Sequence, residues 1–215
     1  MSTLEKIRAL SELTSWQSGY FTTAQAKQQS VSPATLTRFA NAGVIERIQR
    51  GVYRMTAAPS NEFEYETIFT TWLSTAPDKP ATERISYNPH EVIAAGPLAL
   101  KLHDDAILHL DRYDFVSATR RQSKNPKIHY RQRYLTRDEV TVVRGIPAMT
   151  IERAIADLVE LNVDLSTIEA VAEAQLFRGT TTILDLTQTL TSLSDSNPSE
   201  MQQLADAITS NWKTP

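Results

Sequence analysis

The stretch SPATLTRFANAGVIERIQRGVYR, residues 32–54, decides the fold of the first part of the chain. Its opening reads as a short helix with both ends marked. The hydroxyl of Ser32 can accept from an unpaired N–H of the first turn. Pro33 suits the first helical position, where no N–H is needed. Gly43 can take the left-handed conformation that stops a helix. Two β-prone runs follow, 44–48 and 52–55. They are joined by Gln49-Arg50-Gly51, a length and glycine placement that suit a hairpin. At about 100° per residue, Leu36, Phe39 and Ala40 share one face of the helix. Ala34, Arg38 and Asn41 lie on the opposite face, with Thr35 and Thr37 on its flanks. Such a face fits a DNA major groove, where Arg pairs with guanine, Asn with adenine, and Ala or Thr methyls touch thymine. The hairpin carries Arg47, Arg50 and Arg54, with Gln49 near its tip. A cationic hairpin beside such a helix is a wing.

Working backward, Leu4, Ile7, Leu10 and Leu13 recur at helical spacing over residues 3–16. Gly19 ends that helix, and Tyr20-Phe21 reads as a core plug or short strand. Thr22 or Thr23 caps a second helix over 24–29, and Gln29-Ser30-Val31 makes the turn into the third. Three helices and a hairpin over residues 1–57 predict a winged helix-turn-helix. Within it Thr35, Arg38 and Asn41 are expected to address base edges, with Ala34 and Thr37 on thymine methyls or phosphate. Thr23 is expected to donate to a phosphate near a helix N-terminus, Ser32 is counted among the DNA-binding residues, and Arg47, Gln49, Arg50 and Arg54 are expected to supply the wing contacts.

Gly19-Tyr20-Phe21-Thr22-Thr23-Ala24-Gln25-Ala26, then Val31-Ser32, Leu36, Gly43-Val44-Ile45-Glu46-Arg47 and Arg50-Gly51-Val52-Tyr53-Arg54 resemble a known module. It is the N-terminal domain of AbiEi-type antitoxins, the antitoxin half of abortive-infection and type IV toxin–antitoxin systems. The resemblance implies a protein that binds a repeat in its own promoter and represses transcription. It further implies a second domain of mixed α/β fold that counteracts a nucleotidyltransferase toxin, with or without direct contact. Related modules also head other proteins, some carrying a nuclease-like domain.

Residues 57–61 read as a linker, so a second domain is expected over 62–215. Tyr65, Ile68, Phe69 and Trp72 form a buried stripe on a first helix, 62–74. Beyond it, 85–87 reads as a strand and 89–95 as a helix ended by Gly96. Strands are expected over 106–110, 115–118, 127–131 and 140–144. Gly145-Ile146-Pro147 reads as a turn into a helix capped by Thr150, with Ile151, Ala154, Ile155, Leu158 and Val159 inward. Val140 to Val143 followed by Gly145-Ile146-Pro147, Thr150, Arg153, Ala154, Asp157 and Leu158 again resembles the AbiEi pattern. Three acidic amphipathic helices over 166–177, 180–193 and 199–212 close the chain, the last with Trp212 inward. The fold class is α+β.

The net charge of −3 hides a segregation. Residues 1–60 hold seven Lys and Arg against three Asp and Glu, and 107–153 hold ten against five. Residues 61–106 hold three against eight, and 154–215 two against nine. Blocks of this kind suit different partners for different regions. The densest basic segment, 120–133, carries Arg120, Arg121, Lys124, Lys127, Arg131 and Arg133. It reads as a second nucleic-acid surface, as a dock for an acidic or RNA-bound partner, or as a charged edge strand that blocks aggregation.

No cysteine is present, so there is no disulfide framework and no thiolate metal site. No apolar run approaches a membrane span, and the N-terminal helix is too interrupted by acids for a secretion signal. A cytoplasmic protein is expected. Six glycines make no phosphate loop, and His90, His103, His109 and His129 never take a zinc-site spacing. His103-Asp104-Asp105 is the nearest approach to a metal cluster. Glu169 and Glu173 share a helix face with Asp157 nearby in sequence; paired carboxylates can hold Mg²⁺, but the lysine a nuclease needs does not follow, and they read as a solvated acidic face. The expectation is a DNA-binding antitoxin that is not an enzyme and needs no cofactor or metal. Its expected partners are duplex DNA and a cognate nucleotidyltransferase toxin. The alternative is a plain winged-helix regulator whose second domain senses a ligand or oligomerises.

Overall fold

Hydroxyls set the helix starts in the first part of the chain. Ser2, Thr22 and Ser32 sit in extended backbone, and each accepts from the N–H three residues on. They open α1 (Thr3–Thr14), α2 (Thr23–Gln28) and α3 (Pro33–Asn41). At Ser2 and Thr22 the residue three positions on, Glu5 or Gln25, bonds back to the cap's N–H and completes a capping box. Between α1 and α2 lies β1 (Tyr20–Thr22), and after α3 come β2 (Ile45–Gln49) and β3 (Val52–Met55). The three strands form an antiparallel sheet in the order β1-β3-β2. Leu10, Phe21, Ala26, Val31, Leu36, Phe39, Ile45 and Met55 bury one core from all three helices and the sheet. Leu4, expected inward, is exposed, because the core begins only one turn further along α1.

The computed structural model describes residues 1–59, 62–103, 110–193 and 198–211. The chain divides into two units, Met1–Asn88 and Pro89–Pro215. The first unit is therefore longer than the three helices and wing. It also contains α4 (Phe63–Ser74) and α5 (Ala81–Arg84). The reason lies in polar side chains of the head. Gln25, fully buried, donates through Nε2 to the carbonyl of Lys79 (2.8 Å). Gln17 accepts from the N–H of Ala81 (3.0 Å), and Thr22 donates to the carbonyl of Pro77. Tyr20 packs on Phe69 with ring centroids 5.6 Å apart. Residues 85–87 are not a strand, since Ile85 caps α5 and the chain leaves the first unit there.

The second unit holds a mixed five-stranded sheet in the order β6-β5-β4-β8-β7. Its strands are β4 (Ile93–Ala94), β5 (Tyr113–Ser117), β6 (Ile128–Gln132), β7 (Val140–Val143) and β8 (Ile146–Met149), with α6 (Gly96–Leu102) after β4. Two expectations are corrected here. Residues 89–95 are a turn and the central strand β4, and Gly96 starts a helix rather than ending one. Val92, Ile93, Ala94 and Ala95 are all buried, and an unbroken apolar run does not distinguish strand from helix. Ile146-Pro147 is strand rather than turn. The turn is Arg144-Gly145, both with positive φ (49° and 80°), the two-residue hairpin that closes β7 on β8. Pro147 is tolerated because β4 beside it is two residues long and pairs only through Ala94 with Ala148.

Helices α7 (Ile151–Glu160), α8 (Leu165–Phe177), α9 (Ile183–Ser192) and α10 (Pro198–Asn211) follow. Thr150, Asp164 and Thr182 cap the first three. Their apolar stripes are buried as the spacing predicts, including Ile155, Val171, Leu186 and Leu204. The strand expected over 106–110, His109, Asp104, Asp105 and Trp212 lie outside the described residues, apart from Leu110.

Candidate nucleic-acid interface

Helix α3 is fixed at both ends by its own sequence. Ser32 Oγ accepts from the N–H of Thr35 (3.3 Å), and Pro33 stands in the first turn. At the far end Gly43 has φ +70°, its N–H bonds the Ala40 carbonyl, and the N–H of Val44 bonds Phe39 (3.0 Å each). That pair of bonds is a Schellman stop. The inward residues Leu36 and Phe39 are buried, which turns Ala34, Thr37, Arg38 and Asn41 to the surface. The Arg38 guanidinium lies 5.8 Å from the Phe39 ring centroid and has no acidic partner among the described residues. Thr35 is corrected: it is 8% exposed and its hydroxyl meets Ser32 Oγ at 3.0 Å. It braces the cap together with Ser32 and presents nothing to a base.

The wing differs in detail from the expected three-residue loop. A bulge at Ile48 shifts the register between Arg47 and Gln49, and Arg50-Gly51 makes the tip. Gly51 has φ +79°, which a side chain would strain. Thr23 meets the wing tip. Its N–H donates to the Gly51 carbonyl (2.9 Å), with its hydroxyl 3.4 Å from the same oxygen. Thr23, half-buried, ties α2 to the wing tip through its backbone N–H.

Directly paired residues of neighbouring strands share a face of the sheet. The register therefore places Arg47 with Tyr53 and Phe21 on the face that carries the helical core. Tyr20, Arg54 and Glu46 fall on the other. Arg47 and Arg50 are exposed, without an acidic partner among the described residues; Gln49 is half-buried. Arg54 is not free. Its side chain is 15% exposed, Nη2 donates to Glu46 (2.8 Å), and Nη1 lies 3.9 Å from Glu66. Glu66 also accepts from the Tyr20 hydroxyl (2.6 Å). The Glu46 hydrogen bond, against some cost of burial, raises the Arg54 pKa above its ordinary value. Three strands and α4 are thus linked through one guanidinium. No spacing rule points to this, because its members come from β1, β2, β3 and α4.

The second basic segment is also divided. Arg131 makes a two-pronged bond to Asp157, one arm at 2.9 Å, and Asp157 is fully buried. Burial works against the Arg131 charge, yet the hydrogen bond and charge of Asp157 more than offset it and raise its pKa. Arg133 grips Glu160 in the same way, and the buried Arg153 donates to Glu160 (3.1 Å) and pairs with Glu139 (3.0 Å). Arg131 and Arg133 therefore hold β6 to α7 and are withdrawn from any ligand surface. Arg121 is half-buried and donates to the His90 carbonyl (3.0 Å), while Arg120, Lys124 and Lys127 are exposed. The acidic face is corrected at one member: Asp157 is fully buried and held by Arg131 inside the unit, while Glu169 is half-buried and Glu173 exposed on α8. His103 contacts the Met149 carbonyl (3.0 Å).

The fold of the first unit defines a class, the winged helix-turn-helix proteins, here with a polar outer face on α3 that carries Arg38. Residues 8–56 match the sequence model of the family described as transcriptional regulator, AbiEi antitoxin. No curated protein matches the chain. Among solved structures, the RV2827C protein from Mycobacterium tuberculosis is similar, with a TM-score of 0.54. That similarity spans all of this chain and 84% of the other at 11% identity, and it speaks for the fold alone. None of the described helices is long and apolar enough to cross a membrane.

Proposed function

We propose that the chain is a DNA-binding antitoxin that represses its own promoter and counteracts a nucleotidyltransferase toxin. The observation that carries the DNA-binding part is the exposed patch of Ala34, Thr37, Arg38 and Asn41 on α3, beside a wing whose Arg47 and Arg50 are open. Arg38 and Asn41 read base edges, Ala34 and Thr37 touch thymine methyls or phosphate, and the two wing arginines neutralise phosphates. The family match over residues 8–56 supports the antitoxin part. On this reading the DNA-binding domain is Met1–Asn88, residues 89–215 carry the neutralising activity, and the protein acts in the cytoplasm without enzymatic activity or a cofactor. A single winged module is small for high specificity, so the operator is read by two copies on a repeat or as a dimer.

The test is operator binding by an Arg38→Ala variant on DNA from the chain's own promoter. Affinity should fall by about 1–3 kcal/mol, with relaxed preference at one base. An equal loss on every sequence would make Arg38 a phosphate contact and end the base-reading role. A nucleotidyltransferase encoded by the neighbouring gene, and rescue of growth when the two are co-expressed, supports the antitoxin. Absence of both leaves the plain regulator.

A further inference from the structure

We propose that the connection between β5 and β6, residues 118–127, is a second phosphate-binding element, built for the backbone of a nucleic acid and separate from the α3 face. Strands β5 and β6 are adjacent and parallel, with Tyr113 opposite Ile128 and Ser117 opposite Gln132. Such a connection normally takes a dozen or more residues and a helix. Here ten residues without helix or strand make the return, so they run as a strap back along the strands. Five residues at about 3.3 Å each make that path roughly 16 Å long. At about 3.4 Å per phosphate along one strand of a duplex, it covers about five phosphates.

The strap is held in place before any ligand arrives. The N–H of Ala118 bonds the Pro89 carbonyl (2.7 Å), and the N–H of Tyr113 bonds the Lys127 carbonyl (2.7 Å). Between these ends, Asn125 takes the N–H of Lys127 on its side-chain oxygen (3.0 Å), and Arg121 is pinned to the His90 carbonyl. Little ordering cost is left for binding. Arg120, Lys124 and Lys127 remain exposed and make no ion pair among the described residues. No Asp or Glu lies anywhere in 118–127.

The chemistry selects the ligand. From 119 to 127 the strap reads TRRQSKNPK, in which Pro126 is the only apolar residue. A protein partner is anchored by Trp, Tyr or Arg in a desolvated, well-packed centre; the strap has no aromatic or large aliphatic side chain to build such a centre, and its half-buried Arg121 already serves the His90 carbonyl. Cations mixed with hydroxyl and amide groups are the set that contacts phosphate and sugar. Arg131 and Arg133, closest in sequence, do not take part because Asp157 and Glu160 hold them.

The experiment uses the full chain with Arg120→Gln, Lys124→Gln and Lys127→Gln combined, all at exposed positions. Anisotropy of a random-sequence duplex and of a single-stranded RNA is followed against salt, with melting as the folding control. The slope of log affinity against log salt should flatten by about 2–3 on duplex DNA, somewhat less on the single strand. The preference for operator over random DNA should stay unchanged. An unaltered slope on both nucleic acids overturns the proposal. So does loss of binding to a poly-glutamate peptide with nucleic-acid binding intact, which would make the strap a protein dock. Arg38→Ala run in parallel keeps the two sites apart. If it relaxes sequence preference while the strap variant changes nothing, the α3 reading stands and this one falls; the reverse result separates them the other way.

Discussion

Replacing Gln25 with leucine should damage the first unit although the side chain is fully buried and the new one is apolar. Gln25 Oε1 accepts from Gln17 Nε2 (2.9 Å) and from the N–H of Thr22 (3.0 Å), and Nε2 donates to Lys79 O (2.8 Å). Leucine removes all three. Lys79 is exposed and its carbonyl can turn to water, and Gln17 keeps its bond to Tyr20 O (2.7 Å). The N–H of Thr22, in a residue 1% exposed, is left buried and unpaired. One such group costs about 1–3 kcal/mol, and the weakened Gln17 amide adds a fraction of the same. Extra apolar burial offsets about that fraction, so the net loss is about 1–3 kcal/mol. For a unit of this size that lowers Tm by roughly 5–20 °C. Circular dichroism melting of the full chain, with Lys27→Leu on the exposed side of α2 as a control, measures it. A Gln25→Leu protein as stable as the parent would show that the amide network is incidental, and with it the reason given for residues 77–81 belonging to the first unit.

Other perturbations follow from the same structure. Arg54→Met should leave the salt slope of DNA binding unchanged, because that guanidinium already serves Glu46 and Glu66, whereas Arg50→Ala should flatten it by about one; equal slopes for the two variants would contradict the assignment. Asp157→Asn should cost about 3–5 kcal/mol in a denaturant titration, since it leaves Arg131 and Arg153 short of a buried acid; a loss under 1 kcal/mol would count against that pairing. Acid should weaken the caps of α1 and α8. Hydrogen bonds from Ser2 lower the Glu5 pKa, and those from Ser166 and Thr167 lower that of Asp164. A lowered folded-state pKa gives stability that is complete above the ordinary carboxylate range and lost as pH falls through the folded value. The Asp164→Asn protein should therefore approach the parent in stability as the solution is acidified, and a constant gap across that range would exclude the effect.

The head was legible because its signals are local. Ser32, Pro33 and Gly43 mark a helix by chemistry that acts within one turn, and the Arg50-Gly51 tip needs nothing beyond its own backbone. What could not be read depends on partners distant in sequence. Thr35 looks like a groove residue on a helical wheel, yet its hydroxyl is turned to the Ser32 cap. Arg54 and Arg131 look like free cations until Glu46, Glu66 and Asp157 arrive from other elements. The second unit shows the same limit in its backbone. Residues 92–95 are apolar throughout, and only the place of Ile93 and Ala94 between β5 and β8 makes those two strand. Pro147 suggests a break, and only the shortness of β4 explains why it is none.

The hydrogen bond from Thr23 to Gly51 has a bearing on how adaptable the head is. It ties the wing tip to α2, which shares its core with α3, so a swing of the wing relative to the two helices breaks that bond. A duplex whose groove width or bend departs from the one this geometry matches must itself deform, and that elastic cost falls on the DNA. Selectivity of this kind would extend to base pairs that no side chain touches.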